Sequence, residues 1–333
     1  MRAAAGALVA SPPVRVLVTG ATGFAGRHLS SACTALGHEV HALVRPGREG
    51  AVERGVRAHA ADLGDPAEVT ALVRRLAPDG VVHLAGASSV GGSFADPLAT
   101  WRVNLGGTLS VLEALRAAAP DAPALIVTSG EIHGRVPLEA LPVTADTPLN
   151  PISPYGASKA AADLAAAQYR AAYGVAAIRV RAFNHIGPGQ DPRFLLANVA
   201  RQIARAEHEG RDEVVVRVGN LSTRRDFTDV RDMVRAYVLL LEGADPDEVY
   251  LACRGRSLPV SAVVEGLVPH ARIPVTFRSH EAPRREGEQA DLYGSPERLR
   301  AATGWTPEIP LENTLPDTLA WWRARVAAGD DEE

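Results

Sequence analysis

The sequence predicts an α/β protein: a doubly wound parallel sheet followed by a smaller α/β unit. Three observations predict it. Apolar runs alternate with helix-period segments through the first half, the pattern of parallel strands wrapped by crossover helices. A glycine-rich turn joins the first apolar run to the first helix. Beyond Asn184 the alternation loosens, Pro and Gly become frequent and the runs shorten, which suits a smaller second unit.

In order, Val14 to Thr19 reads as a buried first strand and 26–36 as a helix. Glu39 to Val44 is a second strand, 66–76 a helix, Gly80 to Ala85 a third strand and 96–119 a long helix. Ala124 to Thr128 is a further strand, a helix opens at PYGASK, and GVAAIRVRAF is another strand. DFTDVRDMVRAYVLLLEG reads as one long helix that returns to the first unit. The expected division is 12–183 with 222–246 as a dinucleotide-binding unit of the Rossmann kind, and 184–221 with 247–326 as a substrate-binding unit. Residues 1–11 and 327–333 are expected to be unstructured ends.

Length 333, 46% hydrophobic residues and a formal net charge of −4 describe a globular chain with ample apolar side chains for a core. No run reaches the roughly 18 apolar residues that crossing a bilayer takes. The mildly acidic balance lacks a basic stripe. Neither membrane nor nucleic acid is expected as a partner. Cys33 and Cys253 make a poor disulfide framework and favour a reducing, cytoplasmic setting. The opening MRAAAGALVASPP imitates a leader, but its apolar run is short and Ala-rich and a core strand follows at once, so export is not expected. HEVH at His38–His41 has i, i+3 spacing inside a strand pattern and is no helical zinc motif; His83 and His133 stand alone, and no metal site is expected.

VLVTGATGFAGRHL places Gly20, Gly23 and Gly26 at a strand-to-helix turn. Missing side chains there let backbone N–H groups and a helix N-terminus approach a pyrophosphate. The GxxGxxG spacing departs from GxGxxG and also suits a mere tight turn; the strand before and the helix after favour dinucleotide binding, with Thr22 and Phe24 in the same turn. Where an NAD enzyme carries an acidic residue for the ribose 2′-hydroxyl, the second strand ends HALVRPGR. Arg45 can pair with a 2′-phosphate and Arg48 can assist, so NADP(H) is expected rather than NAD(H). An incidental surface Arg is the rival reading in so arginine-rich a chain.

Thirty-five residues are Lys or Arg, and Lys159 is the one lysine among them. It follows Tyr155 by four residues, so on a helix the two side chains share a face. A compact ammonium on a flexible stem lowers a neighbouring phenol's pKa and hydrogen-bonds a ribose hydroxyl, tasks a planar guanidinium fits badly. An ordinary surface lysine beside a half-buried tyrosine has the same spacing, and the pair alone does not choose between the two.

TGATGFAG, ADLGDP, VVHLAGASS, VNLGGTLSVLEA, VTSGEIHG, PYGASK and RAFNHIGPGQ stand in that order along the chain. Together they resemble the extended short-chain dehydrogenase/reductase family that acts on nucleotide sugars, over about Val14 to Trp322. The resemblance implies a catalytic triad of Ser129, Tyr155 and Lys159, with Tyr155 as the acid–base group and its pKa drawn toward neutrality. It implies Asp62 and Leu63 beside the adenine, Leu84 and Ala85 on the nicotinamide side, and Asn104 supporting the catalytic helix. It places His185 by the nicotinamide, though a structural histidine is an equal reading, and Ser88 by the substrate. The second half is most similar to the GDP-4-keto-6-deoxy-mannose reductases and next to the GDP-mannose 4,6-dehydratases. That similarity implies a GDP-linked sugar held by Asn184, Arg225, Arg285 and Glu288, and a homodimer. Structural salt bridges are the competing reading of the arginines.

The turn after Ser129 bears on reaction type. Dehydratases place acid–base side chains directly after the triad residue, and here those positions are Gly130 and Glu131. One carboxylate fits NADPH-dependent reduction at C4 of a 4-keto sugar, with Glu131 still matching the dehydratase glutamate. Dehydration is therefore the alternative, 4-epimerisation the next, and a non-catalytic nucleotide-binding homologue the last. His133 where relatives carry Tyr, and Gly86 where they carry Ala, leave the sugar's identity open.

Overall fold

The structure is a computed structural model and describes residues 14–279 and 289–331. Its first half runs β1 (Arg15–Thr19), α1 (Phe24–Ala35), β2 (Glu39–Val44), β3 (Arg57–Ala60), α2 (Pro66–Leu76) and β4 (Gly80–His83), then α3 (Val90–Ala95), α4 (Pro97–Trp101), α5 (Gly107–Ala118), β5 (Ala124–Ser129), α6 (Pro154–Tyr173) and β6 (Ala177–Ala182). The second runs β7 (Asn184–Ile186), α7 (Leu195–His208), β8 (Val214–Val218), β9 (Arg224–Arg225), β10 (Phe227–Asp229), α8 (Val230–Gly243), β11 (Val249–Ala252), β12 (Leu258–Pro259), α9 (Val260–Glu265), β13 (Val275–Ser279), β14 (Asp291–Leu292), α10 (Glu297–Thr303) and α11 (Leu311–Ala327).

Seven strands pair in parallel in the order β11-β6-β5-β4-β1-β2-β3. Successive side chains of a strand face opposite ways, and β1 shows both destinations. Val16 and Val18 pack with Leu29 of α1 and Met233 and Tyr237 of α8, while Leu17 packs with Val69 of α2 and Val111 and Leu115 of α5. Strands covered on both faces are continuously apolar, which is why they are legible in the sequence. Strand order reverses between β1 and β4, and in such sheets ligands bind at the carboxyl ends of the strands flanking that switch. A second core gathers α7, β8, α9 and α11 around Ile203, Val216, Val263 and Leu319.

Several details differ from the sequence reading, among them the tail expected to be unstructured from 327, where Ala327 still belongs to α11 and Asp331 pairs with Arg205. The segment from Phe227 is not all helix: Phe227–Asp229 is a strand beside β7, because the Asp229 carboxylate accepts from Arg231 N (2.8 Å) and caps the helix at Val230. Val249–Ala252, assigned above to the substrate unit, is the edge strand of the large sheet on β6. Trp305, likewise assigned there, is buried in the core of that sheet. The long helix expected over 96–119 is broken by a π-helical turn at Arg102–Gly106, which rotates Asn104 inward.

Candidate active site

The glycine turn leaves β1 at the switch point. Gly20 has φ +75°, and a Cβ there would stand 2.7 Å from Ala85 N, so the turn after β1 and the segment after β4 touch through bare backbone. Above them opens a cavity of about 970 Å³ whose wall includes Gly20, Thr22, Gly23, Phe24, Arg45, Asp62, Leu63, Leu84, Ala85, Gly86 and Ser88. Gly26 lies beneath it as packing: a Cβ there would stand 2.1 Å from Gly20 O. Arg45 and Arg48 project from the end of β2 into the wall, exposed. The Asp62 carboxylate accepts from Gly64 N at 2.8 Å.

Behind Gly86 sits a buried cluster at the start of α6. Ser153 accepts from Gly156 N (3.0 Å) and Pro154 occupies the first turn, so α6 begins with Tyr155 already on its inner face. Tyr155, Lys159 and Ser129 are all buried, and Tyr155 hydrogen-bonds Ser129. Lys159 Nζ donates to Val127 O at 3.0 Å. Asn104 Oδ1 accepts from Ala87 N (2.8 Å), and its amide donates to Ala87 O (3.2 Å) and Ser158 Oγ (2.9 Å), tying the π-turn to α6. A Cβ on Gly86 would come within 2.8 Å of Asn104 Oδ1 and 3.2 Å of Lys159 Nζ. The missing methyl at this position therefore lets both approach the cavity wall.

Electrostatics here depart from the expectation of a phenol near neutrality. Burial, and secondly the Glu131 carboxylate, push Tyr155 up to about 12 against the opposing Ser129 hydrogen bond. Burial lowers Lys159 to about 8. The dry environment outweighs the local charge pattern that the sequence shows. At neutral pH the phenol keeps its proton. His83, read above as standing alone, is buried with Nδ1 2.7 Å from Thr19 Oγ1 and Nε2 3.1 Å from Thr108 Oγ1; burial, and then Lys159, bring it down to about 3, so it is neutral.

The sugar-side candidates are less gathered. Asn184 is exposed on β7. His185 bonds Phe183 O through Nδ1 (3.0 Å) and stacks on Phe24 with centroids 5.8 Å apart. Arg225 does not line the cavity; its Nη1 donates to Arg224 O (2.8 Å) and Gln289 O (3.0 Å). Arg224 pairs with Asp291 at 3.1 Å, a structural bridge. Arg285 and Glu288 lie outside the described residues. Among the described residues, no group of three or more His, Cys, Asp or Glu could hold a metal ion, and no helix is long and apolar enough to cross a membrane.

Against known proteins, a model of the family described as GDP-mannose 4,6 dehydratase matches residues 17–318. The chain belongs to this family. Its members are of the extended short-chain dehydrogenase/reductase type, nucleotide-sugar enzymes. GDP-6-deoxy-D-mannose reductase of Pseudomonas aeruginosa is 36% identical over 94% of this chain and 98% of its own. GDP-mannose 4,6 dehydratase 2 of Arabidopsis thaliana is 30% identical over 92% of this chain and 86% of its own. The structure of RMD from Pseudomonas aeruginosa complexed with NADPH superposes with a TM-score of 0.80 at 34% identity, over 94% and 98% of the two chains.

In this family member the cavity wall also includes Arg27, Arg102, Arg193, Trp321 and Arg325, which the sequence reading missed. They come from four separate stretches of chain, and no local motif marks them. Ser158, which links Asn104 to the Tyr155 carbonyl (2.8 Å), is inside PYGASK and was legible there only as helix.

Proposed function

We propose that this protein is an NADPH-dependent reductase of a 4-keto nucleotide sugar, GDP-linked, delivering hydride to C4 and a proton from Tyr155. The observation that carries this is the turn Ser129-Gly130-Glu131, which presents one carboxylate next to a phenol that holds its proton at neutral pH. Reduction needs one proton donor at the oxygen that becomes alkoxide. Ser129 Oγ orients that oxygen, and Lys159, on the same helix face, holds the cofactor's ribose and keeps positive charge beside the phenol. When bound, the nicotinamide supplies the hydride. The bare-backbone turn at Gly20, the cavity above it and the cations at its rim fit a phosphorylated dinucleotide. Asn184 and Arg225, with Arg285 and Glu288, are proposed to hold the diphosphate and sugar; 184–221 with most of 253–326 is proposed as their unit.

Purified protein given NADPH and a GDP-linked 4-keto-6-deoxy sugar is expected to oxidise one NADPH per sugar reduced. Glu131 favours the second reading, dehydration of GDP-mannose: formation of a 4-keto-6-deoxy product from GDP-mannose with no net NADPH oxidation would establish that activity and refute reduction.

Cofactor choice is assigned to Arg45. Its guanidinium makes no ion pair with a described residue, leaving it available to a 2′-phosphate at the end of β2. Arg45→Ala is expected to weaken NADPH binding about tenfold to hundredfold and leave NADH binding within about threefold, since a hydrogen-bonded charge pair is worth ~1.5–3 kcal/mol. Calorimetric titration with both nucleotides decides it, and an unchanged preference sinks the assignment.

Two copies are proposed to pair through α4, the π-turn and α6, where Leu98 (66%), Val103 (44%) and Leu164 (58%) are exposed on adjoining elements. Light scattering is expected to give twice the chain mass, and Leu98→Glu with Leu164→Glu to give monomers; a monomeric wild-type protein contradicts the pairing. Both cysteines are buried and unpaired, which supports a reducing, cytoplasmic location.

A further inference from the structure

Directly after β7 the chain runs through a short strap, 187–190, on its way to α7. Pro188, Gly189 and Gln190 of the strap line the large cavity, as do Phe24 and His28 of α1. Two of its four residues are glycines at positive φ, Gly187 at +154° and Gly189 at +88°, so its backbone has more conformations to choose from than an ordinary loop and loses more freedom when it is ordered. One hydrogen bond ties it to α1. His28 Nε2 stands 2.8 Å from Pro188 O, across 160 residues of sequence. A carbonyl oxygen can only accept, so Nε2 carries the proton in this contact. The imidazole is oriented by Phe24, which meets it edge-on with centroids 5.6 Å apart and stacks its face on His185. Among the described residues the strap's other hydrogen bonds stay local: Gln190 N donates to Gly187 O (3.4 Å) and the Gln190 amide to His185 O (3.0 Å).

We propose that His28 is a positioning residue for the cofactor: it clasps the strap 187–190 to α1, so that this wall of the cavity is in place before NADPH arrives. The proposal rests on the assignment of the cavity to NADPH and goes beyond it by naming what holds the wall. A wall already ordered spares the ligand the cost of ordering it, and the gain shows as slower release. Without the clasp the two glycines let the strap leave the wall, and release quickens. Entry is governed by the bare turn at Gly20 and the arginines at the rim, which the clasp does not touch. A bond that served the fold alone would behave differently: its loss would lower Tm and leave release unchanged.

Two variants separate these cases. His28→Phe keeps an aromatic ring against Phe24 and lacks the N–H; His28→Gln returns an amide N–H donor at a similar reach from the backbone. NADPH binding and its release into excess NADP+ are followed by stopped-flow fluorescence, with thermal unfolding and amide hydrogen exchange of the strap in the unliganded protein. His28→Phe is expected to release NADPH about threefold to tenfold faster, the range for loss of one neutral hydrogen bond, with the association rate within about twofold of wild type. Its Tm is expected within about 2 °C of wild type, and exchange of the Gly187, Gly189 and Gln190 amides to quicken by about threefold or more. His28→Gln is expected to bring release back to within about twofold of wild type. Release by His28→Phe within about twofold of wild type, a Gln variant that releases as fast as the Phe variant, or unaltered strap exchange overturns the proposal. Failure of His28→Phe to fold overturns it too, since the bond would then hold the fold rather than the strap. No sugar enters the experiment, so failure of the reductive reading leaves the comparison intact. A wild-type protein that binds no NADPH refutes the cofactor reading and the clasp's role in it together, and is told apart by the absence of any signal before a variant is made.

Discussion

Lys159→Arg is expected to lower kcat on the order of 10²–10³-fold although the charge is kept. Lys159 is 5% exposed, its Nζ donates to Val127 O at 3.0 Å, and the space above it is set by Gly86. A guanidinium is wider than an ammonium and donates through a fixed planar fork rather than from a point. In this enclosure it can reach the Val127 carbonyl or the cavity, not both. Burial also costs the cation: Lys159 is drawn down to about 8, whereas Arg stays charged across the accessible pH range. The two effects make separate marks. The geometric one lowers kcat at pH 7, and the other appears in the pH profile, where the wild type loses its cation as pH rises through about 8 and the Arg variant does not. Steady-state rates of Lys159→Arg within about fivefold of wild type would show that no ribose contact depends on the ammonium.

Which parts of this site can be read from sequence follows from which interactions are local. β1, β2, β4, β5 and β6 are nearly all buried along their length, so apolar residues dominate each, although His41 interrupts β2 and Arg179 and Arg181 interrupt β6. β3 was missed because it is a sheet edge with the partly exposed sequence RAHA, which carries no apolar period. β11 was placed in the wrong unit because its partner, β6, is some seventy residues back in the chain, and pairing at that distance leaves no local sign. The Tyr155–Lys159 face was legible since i, i+4 spacing on a helix is local geometry. The π-turn was not: VNLGGTLSVLEA keeps an ordinary helical period, and the inward turn of Asn104 depends on Ala87 and Ser158 from other elements. Nor could the phenol's pKa be read, because the dominant cause is burial, which charge spacing does not report.

Tyr155→Phe is expected to remove on the order of 10²–10⁴ of kcat, the usual worth of a positioned proton donor, and to leave NADPH binding within about threefold, because the ring and its packing remain. The sign of the pH dependence identifies the donor. Tyr155, held at about 12, is protonated through the neutral and mildly alkaline range, so a phenol donor gives a rate that is flat from acid to neutral pH. Its first decline comes as pH rises through about 8, when Lys159 loses its proton, and that limb is absent in Lys159→Arg. Glu131 is the competing donor on the same turn, and a carboxyl group would behave oppositely at the acid end. It can give a proton only below its own pKa, so the rate would fall as pH climbs through the ordinary carboxylic range of about 3–5. A wild-type profile that declines there, together with a Tyr155→Phe enzyme that keeps more than about a tenth of kcat, would move the proton transfer to Glu131. A flat profile to pH 8 with the Phe variant nearly inactive assigns it to Tyr155.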